Sequence, residues 1–185
     1  MQELSLNILD ISQNSISAGA SLVQISLTEN ADGWLTLTIA DDGCGMTEET
    51  LRTVMDPFYT TRTTRKVGMG IPLLKLAAEQ TGGALEIESV SETVSKTHGT
   101  TIRATFDTGH IDMIPLGDVV ATVQTILQGH PEIDYVFTHS TPRFSVRMDT
   151  REMREVLGDV SLAEPEILAW VGGYLSEQYE EHVSE

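Results

Sequence analysis

Leu4, Ile8, Ile11 and Ser15 recur on one stripe of a 3.6-residue repeat, so residues 3–18 are predicted to form a helix. Asp10 and Asn14 lie four apart on a neighbouring stripe of that helix. Ala18-Gly19-Ala20 ends it, with Gly19 as the C-terminal cap. Val23, Ile25 and Leu27 alternate with polar residues, and so do Leu35, Leu37 and Ile39 after the turn at Ala31-Asp32-Gly33. That period of two predicts a pair of strands. Asp41-Asp42-Gly43-Cys44-Gly45-Met46 reads as a loop, and Thr47 caps a short helix with acids in its first turn. Residues 56–69 are polar and irregular and read as a mobile loop. A helix is predicted from Gly70 to Gln80, stopped by Gly82-Gly83, with strands at Leu85–Ile87 and Thr101–Phe106.

After Gly109 the pattern changes. Leu116–Leu127 is predicted helical, Ile133–His139 and Phe144–Met148 are predicted strands, and residues 150–157 form another helix. The last helix is expected from Glu164 to Glu180. Ser161 and Glu164 have the spacing of a capping box, and Ile167, Trp170, Val171, Tyr174 and Leu175 form the apolar face. Gly172-Gly173 weakens that helix at its middle. No repeat or low-complexity tract interrupts the chain. One boundary is expected, near 108–115, dividing residues 1–108 from an acidic α+β extension at 109–185.

Composition narrows the class. The 185 residues are 40% hydrophobic, ordinary for a globular protein. There is no run of eighteen apolar residues and no basic stretch ahead of an apolar one at the start, so neither a membrane span nor a secretory signal is expected. Cys44 is the one cysteine, which fits a reducing, cytoplasmic home. The net charge of −17 argues against nucleic acid and anionic lipid as partners, since both select basic surfaces. Residues 1–108 carry 7 of the 11 Lys and Arg, and Arg62, Arg65 and Lys66 fall within five positions.

Three segments carry candidate chemistry. Asp41-x-Gly43-x-Gly45 follows a strand, where a carboxylate can accept a hydrogen bond from an exocyclic amine and glycines admit close approach of a base. By itself that is a common turn. Gly68-Met69-Gly70 runs into a helix, where unpaired N–H groups and the positive end of the dipole suit phosphate. The basic cluster just upstream favours that reading over a plain flexible loop. Asn14 offers an amide oxygen of the hard type magnesium prefers, against the alternative of a solvent-facing amide. Asp10, one turn earlier, is either a surface acid or a carboxylate able to orient or deprotonate a water.

The order of these segments resembles the GHKL ATPase superfamily of histidine kinases, mismatch-repair ATPases, type II topoisomerases and large heat-shock chaperones. The resemblance spans roughly residues 3–106. Asn14-Ser15-Ile16-Ser17-Ala18-Gly19-Ala20-Ser21 is most similar to the mismatch-repair form of the first motif. Pro57-Phe58-Tyr59-Thr60-Thr61-Arg62 and Gly68-Met69-Gly70-Ile71-Pro72-Leu73 are similar to the histidine-kinase forms of later ones, and Gly99-Thr100-Thr101 opens the last strand of the set. The implied fold is a two-layer α/β sandwich, a mixed, mostly antiparallel sheet with helices on one face. The resemblance implies ATP and magnesium as ligands. Asn14 would hold the metal. Asp41 would read adenine with a water shared by Thr100, and Gly43, Gly45 and Met46 would shape the pocket. Residues 56–69 would be the lid, with Arg62, Lys66, Gly68, Met69 and Gly70 toward the phosphates. Asp10 matches the position where hydrolysing members carry a glutamate base, and is one methylene shorter.

Other parts of those relatives are not expected here. His98, His110, His130, His139 and His182 all follow the nucleotide motifs, and none is followed at once by an acid as an acceptor histidine would be. The C-terminal 77 residues hold no lysine of the kind a transducer domain extends to the terminal phosphate. Three functions follow as expectations: a stand-alone kinase-like ATPase acting on a regulatory or phospho-acceptor partner protein, an ATP-hydrolysing switch with Asp10 as base, and a non-catalytic ATP-binding module. Whether the chain forms a homodimer is left open.

Overall fold

The computed structural model describes residues 3–54 and 69–181. In chain order the elements are α1 (Leu4–Ser17), β1 (Leu22–Glu29), β2 (Trp34–Asp41), α2 (Glu48–Val54), α3 (Gly70–Gln80), β3 (Leu85–Val90), β4 (Gly99–Asp107), α4 (Val119–Gly129), β5 (Asp134–Ser140), β6 (Ser145–Asp149), α5 (Thr150–Leu157) and α6 (Pro165–Glu180). The strands form one open sheet in the order β3-β4-β2-β1-β5-β6. Only β1 and β5 run parallel among the described residues. This is the mixed, mostly antiparallel sheet expected from the sequence.

Register explains why alternation in the sequence becomes a two-faced sheet. Ile25 pairs with Ile39 and Phe137, and Ile39 pairs with Ile102, which pairs with Ile87. Directly opposed residues point to the same face, so these rows stack into one apolar layer. That face is covered by α1, α3, α4 and α6, through Leu4, Ile8 and Ile11 of α1, Leu74 and Ala78 of α3, Val123 and Leu127 of α4, and Val171 and Leu175 of α6, all buried. The opposite face carries Gln24, Ser26, Thr36, Thr38, Arg103 and Thr138, none of them buried.

Residues 109–181 continue this sheet. β5 lies against β1, and Asp134 N–H donates to the Ser21 carbonyl at 2.9 Å. Leu4 and Ser5 N–H groups at the start of α1 bond the carbonyls of Pro115 and Leu116.

Three local expectations are corrected. The helix predicted from Leu116 starts at Val119, because Gly117 takes a left-handed φ of 76° and Asp118 caps the helix, accepting from Ala121 N–H at 2.8 Å. Ser161 and Glu164 do not form a capping box. Glu164 is itself the cap residue without a side-chain bond, Pro165 opens the helix, and Ser161 Oγ turns to Ala163 N–H. The apolar face of α6 is narrower than its pattern suggests. Val171 and Leu175 are fully buried, whereas Trp170 and Tyr174 are 54% and 39% exposed and stack on each other. Gly172 has a packing reason for its place in the helix: a Cβ there would run into the Gln124 amide of α4, whose Nε2 donates to the Leu168 carbonyl at 2.7 Å.

One buried polar cluster lies at the far end of the sheet. His139, 2% exposed, meets the Tyr179 hydroxyl at Nδ1 (3.0 Å) and a Glu29 carboxylate oxygen at Nε2 (3.1 Å). Burial and the neighbouring Glu29 push the Tyr179 phenol above its ordinary range, so it stays protonated as a donor to Nδ1. No helix among the described residues is long and apolar enough to cross a membrane.

Candidate nucleotide site

The sheet register places Asp41, Thr100 and Ser89 side by side. Asp41 pairs with Val23 on one side and Thr100 on the other, and Thr100 pairs with Ser89. Val23 points into the helix-covered core, so its row partners Asp41, Thr100 and Ser89 project to the same face, at the end of the sheet where β2 gives way to the glycine loop.

Asp41 is held by both oxygens. Ser15 of α1, 3% exposed, donates its hydroxyl to Oδ2 at 2.6 Å. Oδ1 accepts from Gly43 N–H at 3.0 Å and Thr100 N–H at 3.3 Å. Three donors from three elements fix the carboxylate, and Oδ2 keeps one acceptor direction unused by them. The neighbouring Asp42 has a different task. It ties β1 to the loop by accepting from Ser21 N–H (2.7 Å), Leu22 N–H (2.8 Å) and the Ser21 hydroxyl. Partial burial pushes its carboxyl up, but these hydrogen bonds outweigh that effect and hold it below the ordinary value of 3.8.

The glycines of the loop are required by contact. A Cβ at Gly43 would sit 2.9 Å from the Ala18 side chain and 3.0 Å from Asp41 Oδ1. Gly45 has φ 67° and a Cβ there would fall inside the Val90 carbonyl; Gly99, at φ 137°, would meet the Asp41 carbonyl in the same way. Cross-links complete the frame. Cys44 N–H donates to the Ala18 carbonyl, Glu92 N–H to the Cys44 carbonyl, and His98 Nδ1 to the Gly43 carbonyl at 2.6 Å. Met46 is half-buried against the core, and its N–H donates to Ser89 Oγ at 2.8 Å.

On α1, Asn14 is half-buried and Asp10 exposed, one turn apart. Neither side chain hydrogen-bonds to a described residue, so both keep their oxygens available. The start of α3 lies beside Asp10: a Cβ on Gly70 would be 3.1 Å from Asp10 Cβ and 3.8 Å from its Oδ2. Met69, 66% exposed, precedes α3, and no side chain caps that helix, leaving its first N–H groups free for another acceptor. Thus Gly70 at the start of α3 lies beside Asp10 of α1, and Asp41, Gly43, Gly45, Met46 and Thr100 gather about the glycine loop. Arg62, Lys66 and Gly68, with Arg65 and the rest of the proposed lid up to residue 68, lie outside the described residues.

Ser15, Ser89 and His98 were missed from the sequence as site residues. Ser15 does lie in the buried stripe of α1, and its signal in the sequence is a hydroxyl in that stripe immediately after Asn14. Ser89 and His98 carry none, since the place of Ser89 comes from the pairing of β3 with β4 and that of His98 from the pairing of β4 with β2.

The arrangement suits an adenine nucleotide and its metal: a tethered carboxylate with a free acceptor direction, an uncapped helix start, and an unengaged hard oxygen ligand on Asn14. Among the described residues no three His, Cys, Asp or Glu gather as a metal cluster.

Comparison with known proteins agrees with this fold. The chain is 30% identical over 107 residues to a putative sensor protein of Shewanella frigidimarina, covering 57% of this chain and 15% of that one. It is 29% identical over 84 residues to the sensor histidine kinase ZraS of Klebsiella oxytoca, covering 44% and 18%. The chain thus spans less than a fifth of either relative's length. In fold it is similar to the MutL ATPase domain of Aquifex aeolicus complexed with ADP, with a TM-score of 0.55 at 10% identity over 85% of this chain and 69% of that one. The family model for histidine kinase-, DNA gyrase B- and HSP90-like ATPases matches residues 1–110, and the chain belongs to that ATP-binding family.

Proposed function

We propose that this chain is a magnesium-dependent ATP-binding regulator that acts on a partner protein as a kinase-like ATPase in a cytoplasmic setting. The observation that carries the reading is the tethered Asp41 carboxylate, fixed by Ser15, Gly43 and Thr100 within the glycine loop. Asp41 Oδ2 accepts the exocyclic amine of adenine. Gly43 and Gly45 admit the base, Met46 lies against the ring, and Thr100 completes the polar edge. Asn14 supplies an amide oxygen to magnesium, whose charge would offset that of the phosphates. The free N–H groups at Met69 and Gly70 face the phosphates, with Arg62, Lys66 and Gly68 added from the lid. The sensor histidine kinase and the putative sensor protein to which the chain is similar support a signalling role. The acidic residues 109–185 are the surface offered to the partner, which is a regulatory or phospho-acceptor protein; a homodimer is an alternative use of it.

A second reading, an ATP-hydrolysing switch, is favoured by one observation. Asp10 is exposed, unengaged by described residues and beside the start of α3. In this reading its Oδ2 takes a proton from a water aimed at the terminal phosphate. The non-catalytic module remains the outcome if neither chemistry is found.

Calorimetry with ATP and ADP, with and without magnesium, tests the core of the reading. Micromolar binding that weakens in Asn14→Ala and Asp41→Asn is expected; absence of nucleotide binding, or indifference to both substitutions, overturns it. Radiolabelled ATP then separates the roles. Transfer to a protein encoded beside this chain supports the kinase reading. Slow turnover lost in Asp10→Asn supports the switch. Turnover unchanged in Asp10→Asn removes Asp10 as the base.

A further inference from the structure

Ser89 lies one strand beyond Thr100 and no part of the expected site includes it. Its hydroxyl has one proton and two lone pairs. Three partners compete for them: Met46 N–H at 2.8 Å, the Gly99 carbonyl at 3.1 Å and Thr100 Oγ1 at 2.8 Å. The Met46 amide can only donate and the Gly99 carbonyl can only accept. One arrangement satisfies all three contacts. Ser89 takes the Met46 proton, gives its own to Gly99, and so must receive the proton of Thr100. The other arrangement, with Ser89 donating to Thr100, leaves its contact with the Gly99 carbonyl unmade. The fully bonded arrangement is therefore favoured.

The consequence falls on Thr100. With its only proton directed to Ser89, Thr100 Oγ1 presents lone pairs alone. Asp41, whose N–H donor Thr100 also is, presents a carboxylate oxygen. The two groups that border the base are then both acceptors.

We infer that Ser89 is a specificity-determining residue of the nucleotide site, locking Thr100 as an acceptor so that the site selects an amine-bearing purine edge and rejects a 6-oxo one. This rests on the ATP-binding reading above. Adenine offers N6 hydrogens to such an edge. Hypoxanthine and guanine offer a carbonyl oxygen at that position; their N1–H can satisfy one of the two acceptors, and the other is set against O6. Ser89 acts through Thr100 and Met46 and touches no base itself, so it is a positioning residue.

The test compares ATP with ITP, which differ only on this edge, and with tripolyphosphate, which has no base. The wild-type protein is expected to prefer ATP to ITP by about tenfold or more, the range for a mispaired buried polar group. In Ser89→Ala the Thr100 hydroxyl is released to rotate and donate, and the preference is expected to fall to about two- to threefold, with tripolyphosphate affinity unchanged. Ser89→Thr, which keeps the hydroxyl, should retain the preference. Should Ser89→Ala not fold, Thr100→Val, which removes the acceptor instead, is expected to lose the preference equally. A Ser89→Ala protein with wild-type discrimination, or one that weakens all three ligands alike, overturns the inference. Failure of the wild type to bind ATP at all would instead overturn the underlying reading.

Discussion

Replacing Ser15 by Ala removes one oxygen atom from the chain and should be felt at the nucleotide. Ser15 Oγ is buried and its 2.6 Å bond to Asp41 Oδ2 links α1 to the end of β2. Hydrogen bonds to charged groups contribute about 1.5–3 kcal/mol. Asp41 is half-exposed, so water can replace part of the lost contact and the cost to folding falls to about 1 kcal/mol. For a protein of this size that lowers the melting temperature by about 2–4 °C. The effect on ligand binding is separate. Without Ser15 the carboxylate keeps only the two N–H donors on Oδ1, so Oδ2 is free to swing, and the lost orientation should weaken ATP by about five- to tenfold. Calorimetry of ATP and tripolyphosphate, alongside thermal denaturation, separates the two. ATP affinity should drop while tripolyphosphate affinity holds. Unchanged ATP affinity in a folded Ser15→Ala protein would refute the claim that Asp41 is positioned from α1 to meet a base.

Gly45→Ala combines a left-handed residue, costing about 1–2 kcal/mol, with a clash on the Val90 carbonyl. It should lower the melting temperature and abolish ATP binding; a folded variant that binds ATP normally would show that the loop relaxes freely. His139→Leu removes two buried hydrogen bonds and strands Tyr179 and Glu29, so denaturant unfolding should register a loss of about 2–4 kcal/mol with little change in ATP affinity, the cluster lying at the opposite end of β1 from Asp41. Asp42→Asn tests acid stability. The folded-state pKa of Asp42 is depressed, so its contribution is present above the ordinary value of 3.8 and lost as pH falls through the folded value. Wild type should be the more stable at neutral pH, and the gap should close below about pH 3.8 in acid-titration melts; a gap that persists in strong acid contradicts the assignment.

Much of this was legible in the chain because it is local. β1 and β2 are legible from alternation, since one face of the sheet is dry and the other is not, and the sequence also marks the segments of the other four strands. Gly19 and Thr47 behave as their residue types require, the former at φ 73° and the latter accepting from Thr50 N–H. What was not legible is long-range. Nothing in Ile133–His139 says that it will lie parallel to β1, and that pairing depends on where α4 returns the chain. Trp170 and Tyr174 have helical spacing for the core, yet α6 turns Val171, Gly172 and Leu175 inward and leaves those two rings at the surface. The same division runs through the site. Asp41, Gly43 and Gly45 announce themselves by motif, whereas Ser89 acquires its place only when β3 is registered against β4.

Net charge gives the last test. The protein carries −17, and the phosphates of ATP would approach the start of α3 beside the Asp10 carboxylate. The helix end attracts an anion by a few tenths to 1 kcal/mol. A carboxylate and a phosphate about 4 Å apart oppose each other by about 1 kcal/mol even at the dielectric of water. On these magnitudes Asp10 cancels the helix, and metal-free ATP gains nothing there. A divalent ion held by Asn14 and the phosphates, as proposed, would reverse the sign, because Asp10 would then face a site whose charge is largely neutralised. Asp10→Asn is isosteric and removes only the charge. It should therefore tighten ATP about fivefold in the presence of a chelator and change affinity little when magnesium is saturating. This readout does not depend on turnover, so it holds whether Asp10 is a base or a bystander in the chemistry. Equal ATP affinity for wild type and Asp10→Asn without magnesium would place the phosphates away from α3 and Asp10, and would remove the electrostatic reason for a metal.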